Sequence, residues 1–186
     1  MRVFKSSPAA QAGDTNPTRI RILGLDPGTV VMGFGVIDGE GDHIELVKYG
    51  ALVSPQRSSI AERLSYLYSG LLEIIHRHHP QVIAVEQPFV SKNVQSAMAI
   101  GRAEAVAILA AAGNGLPTHE YTPTQIKQRV ASYGASSKEQ MQEMVKLQLG
   151  LDEVPEPNDA ADALAVAICH LREMHLNRLL ASQETK

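Results

Sequence analysis

Two short apolar runs each close on a carboxylate, and this constrains the fold more than any other feature of the chain. Ile20 to Asp26 reads Ile-Arg-Ile-Leu-Gly-Leu-Asp, and Gln81 to Glu86 reads Gln-Val-Ile-Ala-Val-Glu. Both are short, rich in β-branched residues and bounded by Pro or Gly, so both predict strands, the first central and buried on both faces. Laid side by side, such strands bring two acids to one end of a sheet. A second pair, Asp159 and Asp162, stands three residues apart in Asn-Asp-Ala-Ala-Asp-Ala. That spacing puts both on one face of a helix, and the alanines at 160, 161 and 163 let the helix approach the sheet closely. Taken singly, an Asp before Pro-Gly is ordinarily a turn residue and an Asp at a helix start ordinarily a cap. A Glu closing Val-Ile-Ala-Val has no such excuse, and the four together point to a site.

The remaining pattern completes an α/β outline. Gly33 to Ile37 predicts a second short strand, residues 39–42 a turn, and His43 to Val53 a third strand. Ser59-Ile60-Ala61-Glu62 has the spacing of a capping box. It opens a helix to about His79, with apolar residues Ile60, Leu64, Leu67, Leu71 and Ile75 at helical intervals. A second, Ala-rich helix is expected from about Asn93 to Ala112, a fifth strand at Pro117 to Tyr121, and helices from Pro123, from Ser137 and from about Asn158 to Leu176. Residues 1–19 read as a disordered extension, 20–176 as one domain and 177–186 as a flexible tail. Three strands in a meander followed by alternating helices and strands give a five-stranded mixed sheet with helices on both faces. That order resembles a ribonuclease H-like fold.

Clustered carboxylates repel one another, so a site built from four of them is expected to hold divalent cations. The chemistry expected is that of a two-metal phosphodiesterase, with Asp26 as the bridging ligand and Mg2+ as the suited ion. The formal charge of −3 argues at first sight against a nucleic-acid partner. With the four suspected ligands set aside, 17 basic residues against the remaining 16 acidic ones leave +1, so global charge decides nothing. Cys169 is the single cysteine and excludes an intrachain disulfide. No segment reads as long or apolar enough to span a bilayer, since Glu104 interrupts the most apolar stretch, which is expected to be a buried helix. His76, His78 and His79 close a helix ahead of Pro80, where imidazolium complements the helix dipole, and need not bind metal.

The motifs also resemble a known family. Leu23-Gly24-Leu25-Asp26-Pro27-Gly28, Val85-Glu86-Gln87-Pro88-Phe89 with Lys92-Asn93, and Asp159-Ala160-Ala161-Asp162-Ala163-Leu164-Ala165 are similar to those of RuvC, the endonucleases that resolve Holliday junctions. Gln125 to Val130, followed by Tyr133 to Lys138, is similar to the family's basic stretch. The resemblance implies a cytoplasmic homodimer that binds a four-way DNA junction and makes paired nicks leaving 5′-phosphate and 3′-hydroxyl ends. It implies Asp26, Glu86, Asp159 and Asp162 as ligands of two Mg2+ ions, with Mn2+ able to substitute, and RuvA and RuvB as companions. Some family members carry His at the position of Asp159. Lys127 and Lys138 would meet the scissile phosphate, and Phe89 would stack on an unpaired base at the crossover. Asn93, Gln87, Arg102 and Arg129 are further expected DNA contacts, and Ala97, Ile100, Gly101 and Glu104 an expected dimer face. Three rival readings stay open: an actin-like phosphate loop, a ribonuclease H-like nuclease for another substrate, and a module that binds junctions without cutting them.

Overall fold

The computed structural model describes residues 3–6, 19–87, 94–131 and 136–184. Strands β1 (Val3–Ser6), β2 (Ile20–Asp26), β3 (Val31–Glu40) and β4 (His43–Val53) precede helix α1 (Ile60–His78). Then follow β5 (Val82–Glu86), α2 (Val94–Gly113), β6 (Thr118–Tyr121), α3 (Pro123–Ala131), α4 (Lys138–Gln148) and α5 (Asn158–Glu184). One sheet has the order β1-β4-β3-β2-β5-β6. The β2–β5 and β5–β6 pairs are parallel and the rest antiparallel, giving the mixed sheet of a ribonuclease H-like fold.

Period-two alternation along β2 and β5 sorts their side chains between two cores. Ile22, Val82 and Ala84 face a cluster completed by Leu164, Ala167 and Ile168 of α5, Val130 of α3 and Val145 of α4. Leu23, Leu25, Ile83 and Val85 face the opposite cluster, with Leu67 and Leu71 of α1 and Ala103 and Ala107 of α2. The same parity sends Asp26 and Glu86 to the α5 side, because each is an even step from Ile22 or Val82. Helix α1 starts where expected: Ser59 Oγ accepts from the Glu62 N–H at 3.3 Å, and the Glu62 carboxylate accepts from Ser59 N at 2.7 Å. It ends at His79, in the left-handed region at φ 49°, whose N–H donates to Ile75 O.

Helix α5 lies unusually close to the sheet because glycines face it. A Cβ built on Gly24 would stand 2.2 Å from the Ala163 carbonyl oxygen, and one on Gly33 would stand 1.8 Å from that of Asp159. Alanines on the helix meet glycines on the strands, and this double reduction brings the α5 acids up to the sheet end.

Four expectations need correction. The second strand is longer than expected, Val31–Glu40, because Gly33 and Gly39 are packing positions rather than breaks. The five expected strands are all present as β2 to β6, and Val3–Ser6 within the leading segment adds a sixth by pairing with β4. Residues 177–184 continue α5 instead of forming a tail. Finally, α2 is by length and composition apolar enough to cross a membrane, with a mean hydropathy of 1.3, and only 22% of that window is buried. Arg102 and Glu104 near its middle would be costly in hydrocarbon, an Arg at a helix centre costing at least about 2.5 kcal/mol. Its Ala103, Ala107, Ala110 and Ala111 are packed in the protein core.

Candidate active site

Parallel pairing of β2 with β5 aligns Leu25 with Val85, so Asp26 and Glu86 emerge as neighbours at the carboxyl ends of the two central strands. Asp162, one turn into α5, completes the acidic wall of a cleft of about 420 Å³. Lys127 of α3 and Lys138 of α4 line the same cleft, with Ile126, Met141, Ile100, Pro123 and Ala165 supplying apolar surface. Asp159 is outside the lining, in the first turn of α5, yet its charge acts on Asp26.

Electrostatics bind these residues into one unit. Burial, then the charges of Glu86, Asp162 and Asp159, pushes Asp26 up to about 8, with Lys138 pulling the other way. Burial and Asp162 push Glu86 up to about 7, against Lys138 and Lys127. Lys138 Nζ donates to Asp162 Oδ2 at 2.8 Å, and this contact holds the ammonium above its ordinary pKa. Carboxyls that resist ionisation because of one another are suited to an added cation, which favours the ionised form of each. Among the described residues no three His, Cys, Asp or Glu side chains close around a single point at ligating distance. The donor set nevertheless fits a hard divalent ion: carboxylate oxygens, partly exposed, beside an open cleft. Such an ion would compete with Lys138 for Asp162.

The structure thus brings Asp26, Glu86, Asp162, Lys127 and Lys138 to one cleft. Gln87 also lines it and donates from Nε2 to Glu120 at 2.7 Å. Arg129 is not among the lining residues. Its Nε donates at 2.6 Å to Glu173 on α5, a partner 44 residues away that local sequence reading does not supply. Arg102 is exposed on α2 and also outside the lining. Phe89 and Asn93 lie outside the described residues. Sequence reasoning missed the apolar lining of Ile126 and Met141. Their signal was positional, since each is one turn or less from a cleft lysine.

The sequence profile of crossover junction endodeoxyribonuclease RuvC matches residues 22–170. The crossover junction endodeoxyribonuclease RuvC of Dehalococcoides mccartyi is 56% identical over 151 residues, covering 81% of this chain and 90% of that protein. Thermus thermophilus RuvC, solved in complex with Holliday junction substrate, superposes with a TM-score of 0.81 at 32% identity, over 85% of this chain and 96% of that one. The yeast mitochondrial Holliday junction resolvase shares the fold at a TM-score of 0.59 and 15% identity, over 86% of this chain and 82% of its own. With its acids on two central strands and a closely packed final helix, and with a matched segment running from β2 into α5, this chain belongs to the RuvC family of crossover junction endodeoxyribonucleases.

Proposed function

We propose that this protein resolves Holliday junctions in recombination and repair, cutting phosphodiesters with paired symmetric nicks that leave 5′-phosphate and 3′-hydroxyl ends. The observation that carries the reading is the cleft itself, where three carboxylates and two lysines line one open space and Lys138 is bonded to Asp162. Asp26, Glu86, Asp162 and Asp159 would hold two Mg2+ ions, or Mn2+ in their place. Bound there, such ions supply Lewis acidity toward water and the scissile phosphate.

The chain's own residues do the rest. Lys127 and Lys138 offer ammonium donors to the phosphate oxygens and to the charge that develops on them. Lys138 also keeps Asp162 oriented toward the cleft by its 2.8 Å contact. Ile126, Met141 and Ile100 give the cleft an apolar wall that strengthens those charge interactions by limiting water.

A homodimer would present two such clefts to the two strands that must be cut. Its supporting observation is on α2, where Val94, Met98 and Leu109 are 68%, 55% and 63% exposed on one stripe opposite the buried alanines. Of the residues expected at that face, Ile100 lines the cleft instead, and Ala97, Gly101 and Glu104 are half-buried beside the stripe. RuvA and RuvB as companions, and work on the chromosome in the cytoplasm, rest on family membership.

Asp26→Asn tests the assignment of the centre. Cutting of a synthetic four-way junction should fall roughly a thousandfold or more while junction affinity holds or rises, because the change removes a ligand and leaves no carboxylate there to ionise against phosphate. Gel-resolved cleavage and a binding titration report both. Retained cutting would remove Asp26 from the centre.

A further inference from the structure

We propose that Gln148 is a positioning residue for Lys127. It is the joint through which three helices are locked in register behind the cleft. The inference rests on the reading above that Lys127 meets phosphate.

Lys127 stands on α3 and the carboxylates on β2, β5 and α5, so the distance between them depends on how α3 docks. Helix α3 has nine residues and buries only Ile126 and Val130; α4 has eleven and buries only Met141 and Val145. Helices this short have little stability of their own. Apolar contact over two side chains each holds them near α5 but is non-directional, so it does not fix their rotation or slide.

Lys138–Asp162 and the 3.1 Å Gln142–Asn158 bond tie the start of α4 to α5, and one amide adds direction by reaching both neighbouring helices. Gln148, the last residue of α4, donates from Nε2 to the Val130 carbonyl of α3 at 2.8 Å. Its Oε1 accepts from Arg172 of α5, from Nε at 3.2 Å and from Nη2 at 2.9 Å. Both ends of one side chain are therefore used, each on a different helix. Val130 belongs to the last turn of α3, whose carbonyls have no partner within the helix, and it lies one turn beyond Lys127. Hydrogen bonds constrain angle as well as distance, and those from a guanidinium are the stronger kind. The Arg129–Glu173 pair at 2.6 Å ties α3 to α5 beside it. None of Gln148, Arg172, Arg129 or Glu173 lines the cleft, so their substitution removes no group that faces substrate there.

The test uses Gln148→Ala, Arg172→Ala and Lys127→Ala in the full chain, singly and with Gln148→Ala added to Lys127→Ala. Three readouts are taken: single-turnover cutting of a four-way junction at saturating enzyme, junction affinity in the Asp26→Asn background, and amide exchange across residues 124–131. Gln148→Ala should lower cutting about tenfold, since small misplacements of a reacting group carry large rate penalties. Affinity should stay within about twofold and exchange in α3 should quicken. Added to Lys127→Ala, it should cause no further loss, because its effect passes through that lysine. Arg172→Ala, which keeps the bond to Val130, should show the same pattern more weakly and carries the test if Gln148→Ala does not fold. Unchanged cutting, a loss that multiplies fully with Lys127→Ala, or an equal loss of affinity would each overturn the proposal. Normal cutting by Lys127→Ala would instead sink the reading of the lysine, while α3 exchange would still report on the joint.

Discussion

At neutral pH a carboxyl with a pKa of about 8 is mostly protonated, and this governs how Asp26 can be used. Unfolded, Asp26 and Glu86 ionise near their ordinary values of about 4. Folded, they do so at about 8 and about 7. Their folded values are raised, so the stability they contribute is complete below the unfolded pKa and is lost as pH climbs through 7 to 8. A divalent cation reverses that loss, because it binds the ionised forms and displaces their protons. Without added cation the melting temperature should therefore fall between pH 6 and 8.5. Mg2+ should raise it more at pH 8.5 than at 6, which differential scanning calorimetry can check; equal increments would contradict the coupling. At this scale the sequence was a good guide to where a residue sits when its own strand decides the position. Asp26 and Glu86 were legible from the runs they close. Arg129 was not, because Glu173 reaches it only through the packing of α3 on α5.

The element that decides the site is α5, and its closeness to the sheet is made by two kinds of small residue on opposite sides. The alanine half was legible, since 160, 161 and 163 flank the two acids. The glycine half was not, because Gly24 and Gly33 sit within strand patterns and nothing in such a pattern marks a glycine that a helix will cover. Gly24→Ala tests the contact. Its new methyl would stand 2.2 Å from the Ala163 carbonyl oxygen and 2.7 Å from Ala167 N, both backbone atoms that cannot turn aside. The helix must move, at a cost of about 1–3 kcal/mol or more, and it carries Asp162 with it. A lower midpoint in urea together with lost cutting is the expected result. Full activity at wild-type stability would show that α5 tolerates displacement.

For the molecule as a whole, the sheet of five core strands and its flanking helices followed from periodicity. The β1 edge, the run of α5 past residue 176 and the open face of α2 did not. Each depends on what a segment packs against, and periodicity reports only which side of an element is apolar. Helix α2 shows this most clearly, since its Ala-rich side packs inward and Val94, Met98 and Leu109 face out. If that stripe joins two copies, Met98→Glu should convert a dimer into monomers of about 20 kDa by light scattering and reduce concurrent nicking of opposed strands. A dimer that survives the change would place the interface elsewhere.

A carboxylate cluster at one sheet end, with two lysines in the same cleft, is proposed to cut four-way junctions in preference to simpler substrates. The most direct test incubates purified protein and Mg2+ with a mobile four-way junction, a matched linear duplex and an RNA–DNA hybrid, then maps the nicks and treats the products with ligase. Symmetric, ligatable nicks in two strands of the junction, with both controls intact, are the predicted result. Cutting of the hybrid, or tight junction binding with no nick at all, would contradict it.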